Sequence, residues 1–175
     1  MSEEISLVDQ VGNCHKILDE LFLLHQECLL EGELEQALVV LRGFNTCHTL
    51  HMEYEDTLLL PAYAQLPNPG RWDATLYEKE HQKIIDLYTK LVNALVELEQ
   101  QPPSGKQLRR TIIHFLDREK SFKGLCEHHQ EREEASMLLE LDTQKDLGWL
   151  LSEKKNFQNE WEKVYNQVME LIKTP

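Results

Sequence analysis

Four histidines and two glutamates in this sequence have the types and spacings of residues that bind metal ions. They are His15, His51, Glu55, His81, His129 and Glu133. Two of the histidines are followed by a glutamate four residues later, which would place both side chains on one helix face, one turn apart. Each of the six also falls in a run of apolar residues spaced three and four apart, so each is predicted to face a helical core. Because a buried, unpaired carboxylate costs several kcal/mol or must take up a proton, these residues need a compensating partner.

The elements expected to position these residues are helices. Gly and Pro are scarce, at 7 and 6 of 175 residues, and no strand-like alternation competes with the helical spacing. Turn-forming residues cluster near Gly32, at 66–70 and at 101–105, with a weaker break at Asp142-Thr143, which could cap a following helix. The segments between these breaks predict helices at about 6–31, 33–65, 73–100, 105–140 and 144–173.

This pattern predicts an all-α fold. Short connections make consecutive helices antiparallel neighbours, so residues 1–141 are expected to form an up-down-up-down four-helix bundle. Residues 142–175 are expected to add a C-terminal helix, whose apolar face is carried by Trp149, Phe157, Trp161 and further residues. We expect this helix to pack on the same domain, with formation of a homodimer through it as the alternative.

Counting along antiparallel helices predicts that the four histidines meet in one layer. Residues equally far from a tight turn lie at about the same height, at ~1.5 Å per residue. His15 and His51 are equally far from Gly32 to within two residues, or about 3 Å in height. The same counting from the later loops brings His81 beside Glu55, and the histidine of the fourth helix to within about 6 Å of His81.

The remaining histidines are sorted by the same counting. His25 and His114 fall about 15 Å from the layer, on opposite sides of it, and are predicted to be ordinary structural or surface residues. His129 is preferred to His128 in the fourth helix because it lies on the apolar face, although a pairing of His128 with the glutamate five residues later remains open. His48 shares a face with the predicted ligands and could be a hydrogen-bonding partner of a ligand or a spare ligand.

Four imidazoles and two carboxylates in an apolar bundle suit a pair of metal ions. Helical bundles build dinuclear sites from inward-facing carboxylates and histidines. Each glutamate could bridge two ions with its two oxygens, and each ion could take two histidines. Four protein bonds per ion leave room for a bridging oxygen and one exchangeable position on an octahedral metal such as iron or manganese.

The segment from His51 to Pro61 resembles the H-x-x-x-E-E-x-x-L-x-P signature of the hemerythrin-like, or HHE cation-binding, domains. A helix ending at Gly32-Glu33, a histidine in the third helix and a second H-x-x-x-E-E at 129–134 extend the resemblance over about residues 8–140. It implies a non-haem di-iron centre, with two iron ions and a bridging oxo or hydroxo group. The implied metal ligands are His15, His51, Glu55, His81, His129 and Glu133.

The site departs from the oxygen-carrying hemerythrins, which have H-x-x-x-H in the third helix where this chain has Tyr77 and His81. Its four histidines and two glutamates are more similar to the iron-sulfur-cluster repair proteins and the eukaryotic F-box iron sensor. The resemblance therefore implies a protein that binds, senses or reacts with dioxygen or nitric oxide, with a link to iron homeostasis or cluster repair. Alternatives are a ferritin-like di-iron oxidase or peroxidase, for which only Glu78-x-x-His81 fits the expected motif, and a structural module with a hydrogen-bonded polar layer.

Composition restricts the partners further. The formal net charge of -13 would repel nucleic acid and anionic membrane surfaces. No stretch approaches the ~20 apolar residues of a membrane span, and the acidic N-terminus lacks the features of a signal peptide, so a cytoplasmic protein is expected.

The four cysteines form no C-x-x-C pair and are predicted to be free thiols. Cys14 and Cys47 lie near predicted ligands in the sequence. They are predicted to be small core residues, with a thiolate ligand or redox role as the alternative.

Overall fold

The computed structural model describes residues 6–67, 70–144 and 148–173, and the side chains of all of these except 148–151. The described residues form five helices and no strand. Helix α1 is Leu7–Glu31, α3 is Ala74–Gln100 and α5 is Gly148–Lys173. Helix α2 comprises Leu34–Tyr54, the π-helical turn Glu55–Leu59 and Leu60–Ala64. Helix α4 comprises Gly105–Arg132, the π-helical turn Glu133–Met137 and Leu138–Asp142.

The predicted all-helical fold with five helices is confirmed, and the helix bounds agree to within a few residues. Ser6 begins α1 by accepting a hydrogen bond from the backbone N–H of Asp9 at 3.0 Å, as an N-capping serine does. Gly32 ends α1 with φ 81°, a left-handed conformation that favours glycine. Residues 68 and 69 of the second predicted loop, and 145–147 before α5, lie outside the described residues.

Asp142 has a different contact from the one the sequence suggests. Its carboxylate accepts hydrogen bonds from the backbone N–H groups of Leu7 at 2.8 Å and Val8 at 3.1 Å, while residues 145–147, at the predicted start of the following helix, lie outside the described residues. These N–H groups are unpaired donors at the start of α1, so the carboxylate satisfies them and favours the positive end of the helix dipole. Asp142 thereby ties the end of α4 to the start of α1.

Four helices contact one another in a closed ring. Helix α1 packs against α2 and α4, and α3 packs against the same two. The apolar core includes an aromatic cluster of Phe22, Phe44 and Phe122 from three different helices, with ring centroids 5.5 to 5.9 Å apart. Burial of apolar surface between the helices is the main stabilising contribution. The ring directs one face of each of the four helices toward a common interior.

Helix α5 packs on the outside of α2. The ring of Phe157 stacks on that of Tyr54 with centroids 4.0 Å apart, and Phe157, Trp161 and Val168 are buried. Trp149, the first predicted apolar residue of this helix, lies outside the described side chains. Within the described ranges, none of the helices combines the length and apolar character needed to cross a membrane.

Candidate metal centre

The six predicted ligands lie together in the interior of the helical ring, in two groups of four. Within each group the potential ligand atoms all lie within 4.8 Å of one another. The first group is His15, His51, Glu55 and Glu133, and the second is Glu55, His81, His129 and Glu133. All six side chains are buried. Both glutamates belong to both groups, so the two potential metal positions share their carboxylates.

The two oxygens of Glu55 face different groups. Its Oε1 lies 3.2 Å from Nε2 of His51, on the same helix. Its Oε2 lies 3.2 Å from Nε2 of His81, on α3. One carboxylate therefore presents one oxygen to each potential metal position, which is the arrangement of a bridging carboxylate.

Glu133 repeats this arrangement from the opposite helix. Its Oε1 lies 2.8 Å from Nε2 of His129 and its Oε2 lies 3.1 Å from Nε2 of His15. All four carboxylate oxygens of Glu55 and Glu133 are buried and, despite these short distances, none has a hydrogen-bonding partner with acceptable geometry among the described residues. The imidazole nitrogens and carboxylate oxygens therefore converge on common points rather than pointing at each other.

A π-helical turn begins at each of the two glutamates shared by both groups, Glu55 in α2 and Glu133 in α4. Such turns insert an extra residue into an α-helix and often occur at functional sites. Here each turn follows a histidine that lies four residues before the glutamate. The sequence analysis did not predict these turns, although they coincide with the two H-x-x-x-E segments.

Three of the four histidines donate a hydrogen bond from Nδ1 to a carboxylate. The pairs are His15 with Glu134 at 2.7 Å, His81 with Asp56 at 2.7 Å, and His129 with Glu80 at 3.0 Å. A proton held on Nδ1 leaves the lone pair on Nε2 free, and carboxylate partners of this kind orient and strengthen histidine ligands of metals. The three acids were not predicted from the sequence, although two of them are the second acidic residue of the H-x-x-x-E-[D/E] motifs.

The Nε2 atoms of the paired histidines lie close to each other. The distance is 2.8 Å between His81 and His129, and 3.2 Å between His15 and His51. Because His81 and His129 both place a proton on Nδ1, their neutral rings would direct two lone pairs at each other. A proton or a metal ion between the two rings removes this repulsion.

Without metal, protons stabilise the buried cluster. Burial lowers the pKa of His15, but contacts with Glu133 and Glu134 outweigh this and raise the pKa to about 9. The pKa of His129 is likewise raised, since Glu133 and other carboxylates outweigh its burial. Burial raises the pKa of Glu133, but the neighbouring His129 and His15 outweigh this and hold it well below its ordinary range. In the metal-free cluster these shifts favour imidazolium forms of His15 and His129 beside the carboxylate of Glu133.

His51 differs from the other three predicted ligands. Its Nδ1 is buried and has no hydrogen-bonding partner among the described residues. Its ring lies beside His48, with centroids 6.2 Å apart, and edge-on to Trp161 at 6.4 Å. Burial lowers its pKa well below the ordinary value for histidine.

The remaining candidates lie outside both groups. His25 is buried and fully hydrogen-bonded, with Nδ1 2.8 Å from the carbonyl oxygen of Ala37 and Nε2 2.6 Å from Glu119. His114 and His128 are exposed. His48 is buried beside His51, and burial lowers its pKa to about 3. The cysteines, Cys14, Cys28, Cys47 and Cys126, are buried free thiols, and none belongs to either group of ligands.

Tyr77 and Glu78 of α3 were the residues used in the sequence analysis to compare this site with oxygen carriers and with ferritin-like sites. Tyr77 is buried, its ring lies 5.9 Å from that of His129, and its hydroxyl donates to the carbonyl oxygen of Arg132 at 3.3 Å. It is therefore bonded to the backbone of α4. Glu78, the acid of the only E-x-x-H segment considered for a ferritin-like site, is exposed.

Comparison of the chain with protein-family models, with curated proteins and with solved structures finds no match. The functional assignment therefore depends on the residues of the site. These are buried groups of histidine and glutamate that could hold metal ions.

Proposed function

We propose that this chain is a hemerythrin-like protein, a four-helix bundle with a non-haem di-iron centre that binds, senses or reacts with dioxygen or nitric oxide. The observation that carries the proposal is the sharing of Glu55 and Glu133 between two groups of four buried ligand atoms. Each carboxylate directs one oxygen to each group. A single metal ion would leave half of these atoms without a partner.

The donor set fits iron. Each position offers two imidazole nitrogens and two carboxylate oxygens, a mixture that suits first-row metals such as iron and manganese. The unpartnered oxygens of the two glutamates and the opposed lone pairs of His81 and His129 are the features that a bound cation would satisfy. A purely structural polar layer would instead be expected to pair its buried groups, as nearly all buried polar groups are paired.

Iron bound here would supply reversible electron transfer and open coordination positions for a small ligand. The protein's residues hold the imidazoles in place: Asp56, Glu80 and Glu134 accept their Nδ1 protons and keep the Nε2 lone pairs directed inward. Four protein ligands per ion leave two positions on an octahedral metal, enough for a bridging oxygen and one exchangeable ligand.

The surroundings favour a small, neutral ligand. Leu18, Ile84 and Phe122 near the polar layer are buried, and a charged ligand would lose its hydration there. A cavity of about 20 Å³ is lined by the three phenylalanines of the aromatic cluster, by His48 and Cys126, and toward the surface by Asp19, Lys123, Glu127 and Gln130. Its size suits a molecule no larger than water or a diatomic gas.

The proposal is tested on protein produced with an iron supply. Elemental analysis should give two iron ions per chain. Stopped-flow mixing of the reduced protein with dioxygen, and separately with nitric oxide, should produce charge-transfer bands in the near ultraviolet and visible. Protein loaded with zinc, which has no redox chemistry, is the control and should show none.

Three outcomes would contradict parts of the proposal. One ion or fewer per fully loaded chain would exclude the dinuclear site. Spectra that change with neither gas would exclude ligand binding. A long-lived, reversible dioxygen complex would indicate an oxygen carrier, whereas we expect the complex to decay to the oxidised site because Tyr77 replaces the additional histidine of the carriers.

A further inference from the structure

We propose that the two metal positions are unequal: the position of His81 and His129 fills first and retains its ion, and the position of His15 and His51 fills second and exchanges its ion. This inference rests on the proposed function, since it concerns the same site. It derives from the hydrogen bonds on the far side of each imidazole, which differ between the two positions.

Both imidazoles of the first position are fixed in the form that binds metal. His81 donates its Nδ1 proton to Asp56 at 2.7 Å, and His129 donates its Nδ1 proton to Glu80 at 3.0 Å. Glu80 is itself only 10% exposed in its side chain and accepts a hydrogen bond from Arg132. Both imidazoles therefore have an acceptor for the Nδ1 proton when Nε2 binds the ion.

The second position has one such imidazole. His15 donates to Glu134 at 2.7 Å. Nδ1 of His51 has no acceptor among the described residues, so nothing favours a proton there.

Metal binding at the second position therefore carries an additional cost. An ion bound at Nε2 of His51 leaves the ring proton on Nδ1, where it is buried without an acceptor among the described residues. A buried donor without an acceptor is unfavourable. Loss of a hydrogen-bonding partner of a metal ligand typically weakens metal binding 10–100-fold, so the two positions should differ by at least about 10-fold in affinity.

A cavity open to solvent is lined by neighbours of the second position. A cavity of about 310 Å³ between α1 and α5 is lined by Cys14, which precedes His15, and by Trp161, whose ring is 6.4 Å from that of His51. Asp9 and Glu162 also line it, and none of the lining residues is Lys, Arg or His. The cavity therefore attracts cations electrostatically, which favours exchange of the ion at this position.

The test is a titration of the metal-free, full-length protein with cobalt(II) chloride, followed by calorimetry and visible absorption, with a competing chelator to bring both steps into range. Two steps of one ion each are expected, separated by about 10-fold or more in affinity. His51→Ala should abolish the weaker step and retain the stronger one. The matched variant His81→Ala should abolish the stronger step and retain only the weaker one.

Milder variants keep the test informative if either alanine variant fails to fold. Asp56→Asn should weaken the stronger step about 10–100-fold, and Glu134→Gln should weaken only the weaker step. Both carboxylates are partly exposed, so these variants should retain the helical circular dichroism of the parent.

Two ions that bind with one affinity would overturn the inference while leaving the proposed function intact. Loss of the stronger step in His51→Ala, or an Asp56→Asn variant in which only the weaker step changes, would overturn it as well. Failure of the parent protein to bind cobalt at all would instead refute the metal site itself.

Discussion

Removing the metal should make the stability of this protein depend on pH in the neutral to alkaline range. In the metal-free protein His15 lies between two carboxylates, with Nε2 3.1 Å from Glu133 and Nδ1 2.7 Å from Glu134. These contacts raise its pKa from the ordinary value of 6.5 to about 9. In the metal-bound protein the same imidazole is a neutral ligand and does not take up a proton in this range.

The sign and size of the effect follow from linkage between protonation and folding. A histidine whose pKa is raised by folding stabilises the folded state fully below its unfolded pKa, and this contribution is lost as pH rises through the folded pKa. The shift in His15 from 6.5 to about 9 corresponds to about 3 kcal/mol, at ~1.4 kcal/mol per pKa unit. For a chain of 175 residues, this is a fall in melting temperature of roughly 10 °C.

The assay is thermal unfolding followed by far-ultraviolet circular dichroism, for metal-free and iron-loaded protein, at a series of pH values from about 6.5 to 9. The melting temperature of the metal-free protein should fall over this range, and that of the loaded protein should be higher throughout and change less. Glu134→Gln should flatten the metal-free profile, because it removes one of the two carboxylates that raise the pKa of His15. Glu131→Gln is the matched control on the same helix, since Glu131 contacts exposed His128 instead. A metal-free melting temperature that stays constant over this range would refute the reasoning.

Three further outcomes are expected. His129→Ala should lower the metal content, measured by elemental analysis, whereas His128→Ala should leave it unchanged, because only the former side chain is buried in the ligand groups; the reverse order would contradict the site. His25→Ala should destabilise the fold by about 3–5 kcal/mol in denaturant titrations, because it leaves buried Glu119 without its partner, yet it should not change the metal bound per folded chain. Trp161→Ala should also cost about 3–5 kcal/mol, since its side chain is 4% exposed; a near-neutral effect would show that α5 is not part of the stable core.

The positions of the six predicted ligands could be predicted from the sequence because the helices are long and the loops short. The height of a residue along the bundle then follows from its number of residues from the nearest loop. His15 and His51 lie almost equally far from Gly32, and the structure brings their Nε2 atoms to within 3.2 Å. The same periodicity separates His129 from His128, since adjacent residues on a helix point about 100° apart. Where the backbone is regular, burial of a face is a property of the local sequence.

The carboxylates that accept hydrogen bonds from these histidines could not be predicted in this way. Which acid reaches an imidazole on another helix depends on rotation and offset between helices, which periodicity does not specify. Asp56 therefore belongs with His81 on α3, although it directly follows Glu55 on α2. The two π-helical turns were not predicted for a similar reason. Each inserts only one residue into an α-helix, so the spacing of apolar residues does not reveal it.

Two buried clusters of histidine and glutamate in this chain show what separates a structural site from a metal site. His25 and Glu119 form a closed set: both imidazole nitrogens have partners, and Gln26 donates to the second carboxylate oxygen at 2.9 Å. Around Glu55 and Glu133 four buried oxygens lack hydrogen bonds, although an imidazole nitrogen lies 2.8 to 3.2 Å from each of them. Since burial penalises unpaired polar groups in both places, the second cluster needs a further partner at its two centres, and cations could supply it. The geometry of the unpaired atoms, rather than the residue types or their burial, is therefore what identifies the candidate metal centre.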